Sequence, residues 1–499
     1  MNAPLIPPAT ARTTGLRAIA SGTLWVVAAR WSIRGIGLVS TILLARLLAP
    51  AAFGVVAMAT FVTGLLEVFG DTGLVLFLIR HPDPRRDHFD TVWTLRLLMG
   101  AVLALALLLL APAAAAFFHE PLVAPAVRVL ALRPLLLGLE NPGIVLFRKD
   151  MTFSKDFEFL VLNKVVAFVL TVALALLLRS HWALIAGILA GGAISTLQSY
   201  RMHPYRPRLD LSRCRDVWGF SAWVLLQNVL AFANARMDEL IVGRTASTAA
   251  MGAYHVAADV AAAPVQEIVT PLSRVLFPAL SRLLHDPPAL AAPALAATVP
   301  RVLSAVAIVS VAVSTGMVLV AGDFVRVVLG AQWLHVVPVL RILAASAGVV
   351  VLSYPMSVLL NATGRARLAA TLSLGRQALL LAVMVPAALH WHTLEAIALA
   401  RAGCMVASFI GSALVYARVL GLPAGSAFAC LPRPLAAAAV MAGAVLLTQH
   451  AAPDLAAARL ALAVCAGMVI FPLTLCALWV IAGRPDGLEA AVWRWSSGC

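Results

Sequence analysis

Fourteen apolar runs, each long enough to cross a lipid bilayer as a helix, follow one another along this chain with little between them. A spanning helix needs roughly 20 apolar residues, because the hydrocarbon core is about 30 Å thick and an α-helix rises about 1.5 Å per residue. Bounded by charge, Pro and Gly, the runs fall at 20–48, 53–79, 92–118, 125–147, 157–179, 182–200, 217–242, 250–281, 299–321, 336–361, 367–389, 394–417, 430–449 and 458–482. The connections are too short to hold a folded soluble domain. Composition agrees. Hydrophobic residues make up 62% of the chain and charged ones 12%, against about 25% charged in a soluble domain. That excludes a soluble enzyme, a secreted disulfide scaffold and a disordered regulator. The expectation is an all-α polytopic membrane protein with about fourteen transmembrane helices.

The net charge is +15. In a soluble protein that would point to nucleic acid; in a membrane protein it reports orientation. With the N-terminus inside, the cytoplasmic segments hold Arg12 and Arg17, Arg80, Arg85 and Arg86, and Arg148, Lys149 and Lys155. They also hold Arg201, Arg206, Arg208, Arg213 and Arg215, then Arg282, Arg365, Arg367, Arg418, Arg484 and Arg494. The opposite loops hold Arg179, Arg244, Arg326 and Arg459. This asymmetry places both termini in the cytoplasm and removes nucleic acid as a partner. Trp93, Trp182, Trp218, Trp333 and Trp391 lie near span ends, as an aromatic belt requires.

No short apolar stretch with a small-residue cleavage site opens the chain, so no signal peptide is expected. The cysteines, Cys214, Cys404, Cys430, Cys465, Cys476 and Cys499, show no CxxC spacing, so neither disulfides nor a metal site are expected. His390 and His392 flank Trp391 at a helix end and read as an interfacial loop.

Two stretches repeat. Arg46-Leu-Leu-Ala-Pro-Ala-Ala-Phe-Gly54 aligns with Arg244-Thr-Ala-Ser-Thr-Ala-Ala-Met-Gly252, 198 residues on, and Glu67 and Val75-Leu76-Phe77 align with Glu267 and Val275-Leu276-Phe277, 200 residues on. An offset of six spans keeps the orientation, so the pattern predicts two parallel six-helix repeats around a central cavity, with two further C-terminal helices. The expected organisation is a cytoplasmic segment 1–19, an N-lobe 20–200, a basic linker 201–216, a C-lobe 217–420, two extra helices in 421–483 and a tail 484–499.

Charged residues inside spans are expensive unless they face a wet cavity or a partner. Arg30 and Arg34 stand at i and i+4 on one face of the first span, with no acid near them in sequence. With Arg96, Arg133, Lys164, Arg236 and Arg274 they would line an electropositive cavity suited to an anion, above all a phosphate or pyrophosphate, which arginine holds bidentately. Asp71, Asp238 and Asp259 are candidates for coupling to a proton or a sodium ion. The other reading of each charge is snorkelling to the interface or structural pairing. No Gly-Lys-Ser/Thr occurs, which excludes an ATP-driven pump within this chain; no cofactor is expected beyond a coupling ion.

Short motifs in order resemble a known family. They include Trp31-Ser32 with Arg34, Leu44-Ala45-Arg46-Leu47-Leu48-Ala49-Pro50, and Phe53-Gly54-Val55-Val56-Ala57-Met58-Ala59. Further on come Asp71-x-Gly73-Leu74, Phe89-Asp90-Thr91-Val92-Trp93, Gly138-Leu139-Glu140-Asn141-Pro142-Gly143 and Asp150-Met151-Thr152-Phe153. The second half adds Phe220-Ser221-x-Trp223, Arg236-x-Asp238-x-x-Ile241-Val242-Gly243-Arg244, Gly252-x-Tyr254 and Leu276-Phe277-Pro278-Ala279-Leu280. Over roughly residues 20–420 the chain resembles the bacterial oligosaccharide/polysaccharide flippases, of the superfamily that also holds multidrug extruders and lipid II flippases. The resemblance implies transfer of an undecaprenyl-pyrophosphate-linked oligosaccharide across the bacterial inner membrane by alternating access. Its partners would be the polymerase and glycosyltransferases of a surface polysaccharide pathway. The alternatives are a multidrug/cation antiporter, which would prefer an acidic or aromatic cavity, and a membrane glycosyltransferase or polymerase, which would need larger outer loops.

Overall fold

The computed structural model describes residues 16–70, 73–81, 84–150, 152–214, 221–285, 288–420, 425, 428–451, 455–484, 489–490 and 493, and among these there is no β-strand. The chain divides into two compact units, Met1–Gly252 and Ala253–Cys499. The basic stretch 201–216 lies inside the first of them.

The first unit contains α1 (Leu16–Leu47), α2 (Pro50–Gly70), α3 (Leu74–Arg80), α4 (Arg86–Phe118), α5 (Val123–Leu130), α6 (Leu132–Leu139), α7 (Val145–Lys149), α8 (Phe153–Leu178), α9 (His181–Met202) and α10 (Ser221–Thr245). α11 (Thr248–His285) runs from the first unit into the second. The second unit continues with α12 (Pro288–Phe324), α13 (Val337–Ala362), α14 (Ala366–Trp391), α15 (Leu394–Leu420), α16 (Pro432–Ala451) and α17 (Ala456–Ile481).

Eleven helices among the described residues are long and apolar enough to cross a membrane, or twelve if the bent pair Val123–Leu139 and Pro142–Lys149 forms one span. α10 and α11 stand at the two other expected places, and they carry Arg236, Asp238, Glu239, Asp259 and Glu267. Two expected spans are broken. The run 53–79 divides into α2 and α3, where Gly73 takes a φ of 73° before α3 begins. The run 125–147 divides because Asn141-Pro142-Gly143 forms a 3-10 turn, with the Asn141 side chain accepting from Gly143 N at 2.9 Å. The bend is 60°. Proline lacks the N–H that a continuing helix needs, and the turn supplies a substitute bond.

The surface shows which solvent these helices meet. Leu177 and Ile481 are each 80% exposed, and long rows of leucine and valine on α4, α8 and α17 face outward. Buried apolar side chains sit between helices instead. In the first unit Leu44, Leu48, Ala175 and Ala183 join α1, α8 and α9, and Leu74, Phe89, Val92, Val145 and Tyr205 join α3, α4, α7 and the segment after α9. In the second, Leu276, Leu303, Val351, Leu359, Phe409 and Tyr416 join α11, α12, α13 and α15. Threonines within spans return their hydroxyls to their own helix: Thr60 donates to Val56 O at 2.7 Å and Thr171 to Ala167 O at 2.6 Å. In hydrocarbon, where no water can take the proton, that local bond is the inexpensive solution.

After α9 the chain runs without regular structure from His203 to Ser212, yet it is pinned. Asp90, at the first turns of α4, accepts from the Tyr205 hydroxyl and from Arg208 N at 2.8 Å. Asn141 Nδ2 donates to Tyr205 O at 2.8 Å, and Asp210 N donates to the Thr94 hydroxyl at 3.0 Å. Burial and the Asp90 carboxylate push the Tyr205 phenol far above its ordinary range, so it acts as a hydrogen-bond donor.

Candidate functional site

Two ion pairs lie between the apolar helices of the first unit. Arg96 of α4 reaches across to α6, where its Nη2 donates to Leu137 O at 2.7 Å and to Glu140 Oε2 at 3.1 Å. The second Glu140 oxygen accepts from the Ser195 hydroxyl of α9 at 2.7 Å. Arg96 and Glu140 keep 17% and 15% of their side-chain area exposed. Arg133 of α6 pairs with Glu67 of α2. The other carboxylate oxygen, Glu67 Oε1, is buried without a hydrogen bond among the described residues.

These pairs border one cavity of about 460 Å³. Glu67 and Gly64 of α2, Arg96 and Gly100 of α4, Pro134 and Leu137 of α6, and Phe232 of α10 form its walls. Arg133 and Glu140 stand behind Glu67 and Arg96. Formally the four charges cancel, but a cavity wall of this kind offers a guanidinium donor in a low-dielectric site, where charge-assisted bonds to an anion are strongest.

A second basic group lies along α1 and α8. Arg30 and Arg34 are half-buried on one face of α1. Gly37, one turn further, points at α8: a Cβ there would lie 4.0 Å from Lys164 Cε. Trp25 and Phe157 bring the same two helices together nearby, with ring centroids 5.1 Å apart. Lys164 therefore belongs to the contact of α1 with α8, and Arg30 and Arg34 share α1 with Gly37, its neighbour there.

The remaining candidates are placed differently. Arg236 Nη1 donates to Glu239 Oε1 at 2.6 Å within α10, and Asp238 beside them is 4% exposed. Asp259 on α11 keeps 59% of its side chain exposed, with His255 Nε2 at 3.7 Å. Asp71 and the side chain of Arg274 lie outside the described residues. Glu67 and Glu140, which complete the two pairs, were absent from the expected binding set. Both stood within predicted spans, and a buried acid among buried arginines was the available signal.

Close backbone contacts join α2 to the start of α11. Gly54 of α2 packs so closely on α11 that a Cβ there would lie 1.8 Å from Thr248 O, and a Cβ on Gly252 would lie 1.9 Å from Pro50 O. Only hydrogen fits at either position. Glu120 accepts from the Thr248 hydroxyl, and Arg244 meets the His119 ring, with 3.0 Å from Nη1 to Nε2. Phe61 stands between Phe118 and Phe232, at ring separations of 6.5 and 5.5 Å.

A family model described as "Polysaccharide biosynthesis protein" matches residues 43–338, more than half of the chain. The chain belongs to this family. The polysaccharide biosynthesis proteins it is similar to include "Lipopolysaccharide biosynthesis protein WzxC" of Escherichia coli (strain K12), 26% identical over 349 residues, which are 69% of this chain and 70% of that one. They also include "Succinoglycan biosynthesis transport protein ExoT" of Rhizobium meliloti (strain 1021), 27% identical over 341 residues, 68% of each chain. Among solved structures, the fold is similar to "Lipid II flippase MurJ, inward closed conformation", with a TM-score of 0.69, 11% identity, and 93% of this chain and 100% of that chain covered. The membership agrees with the resemblance read from the motifs, and the fold with an all-helical membrane protein.

Proposed function

We propose that this chain is a transporter, not an enzyme, which moves an undecaprenyl-pyrophosphate-linked oligosaccharide from the inner to the outer leaflet of the bacterial inner membrane for surface polysaccharide synthesis. The observation that carries the reading is the 460 Å³ cavity walled by Arg96 and Glu67 among helices whose outer faces are apolar. A pyrophosphate is a competing anion for a guanidinium already held by a carboxylate, so exchange of partners can accompany loading.

Within this reading the substrate-binding set is Arg30, Arg34, Arg96, Arg133, Lys164, Arg236 and Arg274, with both termini cytoplasmic and fourteen spans in two parallel repeats plus two helices. The reciprocal packing of Gly54 on Thr248 and of Gly252 on Pro50 supports the repeats. Each glycine is the other's counterpart at the 198-residue spacing, and so are Pro50 and Thr248. A local two-fold relation produces such an exchange. A cation antiporter would need carboxylates open to its cargo; here both oxygens of Glu140 are taken up, by Arg96 and Ser195, and Glu67 is paired through one oxygen with Arg133.

The double variant Arg30→Ala/Arg34→Ala tests the assignment. Surface polysaccharide should disappear and the lipid-linked oligosaccharide accumulate in the inner leaflet, with normal amounts of the protein in the membrane. Full export by the double variant would remove Arg30 and Arg34 from the substrate-binding set, and full export by Arg96→Met/Glu140→Leu would overturn the 460 Å³ cavity as the site.

A further inference from the structure

The pinned segment after α9 forms, with the start of α4, a cleft of about 520 Å³ bordered by Arg85, Arg86 and Arg208. Its three acids are occupied from within the protein. Asp90 holds the Tyr205 hydroxyl and Arg208 N, Asp87 takes Arg213 Nε at 2.8 Å, and Asp210 accepts from Ser212 N and its hydroxyl at 2.8 and 2.9 Å. The guanidinium groups of Arg85 and Arg208 make no ion pair among the described residues. Arg86 Nη2 donates to Arg206 O at 3.2 Å and its Nε stands 3.6 Å from Asp90 Oδ2. The cleft therefore presents cationic donors on a backbone that is fixed in advance, and its acids are not open to a cation.

Beside these donors Leu209 is 74% exposed and Leu211 48% exposed. Two bare leucines on a polar, arginine-rich segment suit an interface rather than bulk water. They lie where the spans Arg86–Phe118 and His181–Met202 end. A basic cleft with apolar neighbours at that level fits a lipid headgroup better than a free anion.

We propose that this cleft binds the phosphate of an anionic glycerophospholipid, of the phosphatidylglycerol type, in the leaflet facing the arginine-rich loops. Arg85 and Arg208 hold the phosphate oxygens, and Leu209 and Leu211 lie among the first carbons of the acyl chains. The site rests on the orientation proposed above and not on the transported substrate. A lipid held there ties the α9–α10 connection to the membrane surface through Asp90 and Tyr205.

The experiment is native mass spectrometry of the full-length protein in detergent, titrated with phosphatidylglycerol. One lipid should be retained tightly, and Arg85→Gln/Arg208→Gln should weaken its retention about tenfold or more, as loss of charge-assisted bonds predicts. Arg365→Gln/Arg367→Gln, with the same change in net charge, should leave it unaltered. Leu209→Ser/Leu211→Ser should weaken phosphatidylglycerol without changing competition by inorganic phosphate. Should the double arginine variant not fold, Arg208→Lys keeps the charge, loses the bidentate fork and should still weaken retention. Equal losses in the two double arginine variants would overturn the site. So would leucine variants that bind like the parent, or retention of a polyprenyl pyrophosphate in place of phosphatidylglycerol. Retention needs no transport, so failure here leaves the flippase reading intact, and failure of that reading leaves this site standing.

Discussion

A guanidinium among apolar helices can lower its energy by reaching water, by meeting a carboxylate, or by meeting a ligand. Arg96 takes the second course, and Glu140 is held in turn by Ser195. The pair is a poor source of stability relative to an apolar substitute of the same shape, because both charges were desolvated to form it. Breaking it is another matter. Glu140→Leu leaves Arg96 uncompensated and should cost about 3–5 kcal/mol. Adding Arg96→Met should recover most of that, giving a large coupling energy between two positions in contact. Unfolding in detergent followed by helical circular dichroism measures it. If Arg96 also holds substrate, the stable double variant should still fail to export. Strict additivity of the two single variants would show that the pair is not coupled. The sequence made Arg96 and Arg133 legible as candidates, since each is a charge inside an apolar run. It could not show their partners, which lie 44 and 66 residues away along the chain. Such pairings exist only once α2, α4 and α6 are packed.

At the scale of helices, hydropathy located the spans and missed their breaks. A window average is insensitive to Gly73 or to Asn141-Pro142-Gly143, because a turn of three residues hardly changes the mean over twenty. α10 and α11 are not among the helices of the described residues that are long and apolar enough to cross a membrane, although they stand at expected places. The small residues are more informative there. Gly54 and Gly252 sit at matching places in the repeat, and each faces the carbonyl of the other's neighbour. Without a strong apolar driving force between helices in lipid, such close backbone approach is what holds them. Gly54→Val would place a branched side chain on Thr248 O. Overpacking of this kind should destabilise by about 1–3 kcal/mol and lower export with it. Gly411→Val, whose Cβ would meet nothing within 4 Å, is the matched control and should shift the melting temperature far less. Equal shifts for the two variants would show that the contact contributes nothing.

For the whole molecule, the remaining question is what drives net movement. The absence of Gly-Lys-Ser/Thr leaves an ion gradient, the membrane potential, removal of product or a separate subunit as the source. Gradient coupling needs a group that changes its bound ion as the chain changes state, and that ion must bind the two states with different affinity. The acids proposed for the role differ in setting. Asp238 is buried beside the Arg236–Glu239 pair. Asp259 is exposed and shares a helix face with His255. Asp71 is proposed from its place inside the second apolar run, four residues after Glu67. In proteoliposomes with a fluorescent polyprenyl-pyrophosphate saccharide, an imposed proton or sodium gradient should accelerate flipping. Asn at the coupling position should leave a slow basal rate that no longer responds. Loss of the response in the Asp238→Asn protein alone would assign coupling to the buried site; loss in the Asp259→Asn protein alone would assign it to the exposed acid and its histidine. A response unchanged in all three variants would reject coupling through these acids. The driving force would then have to lie in the potential acting on the arginines, in consumption of the product on the far side, or in a separate subunit.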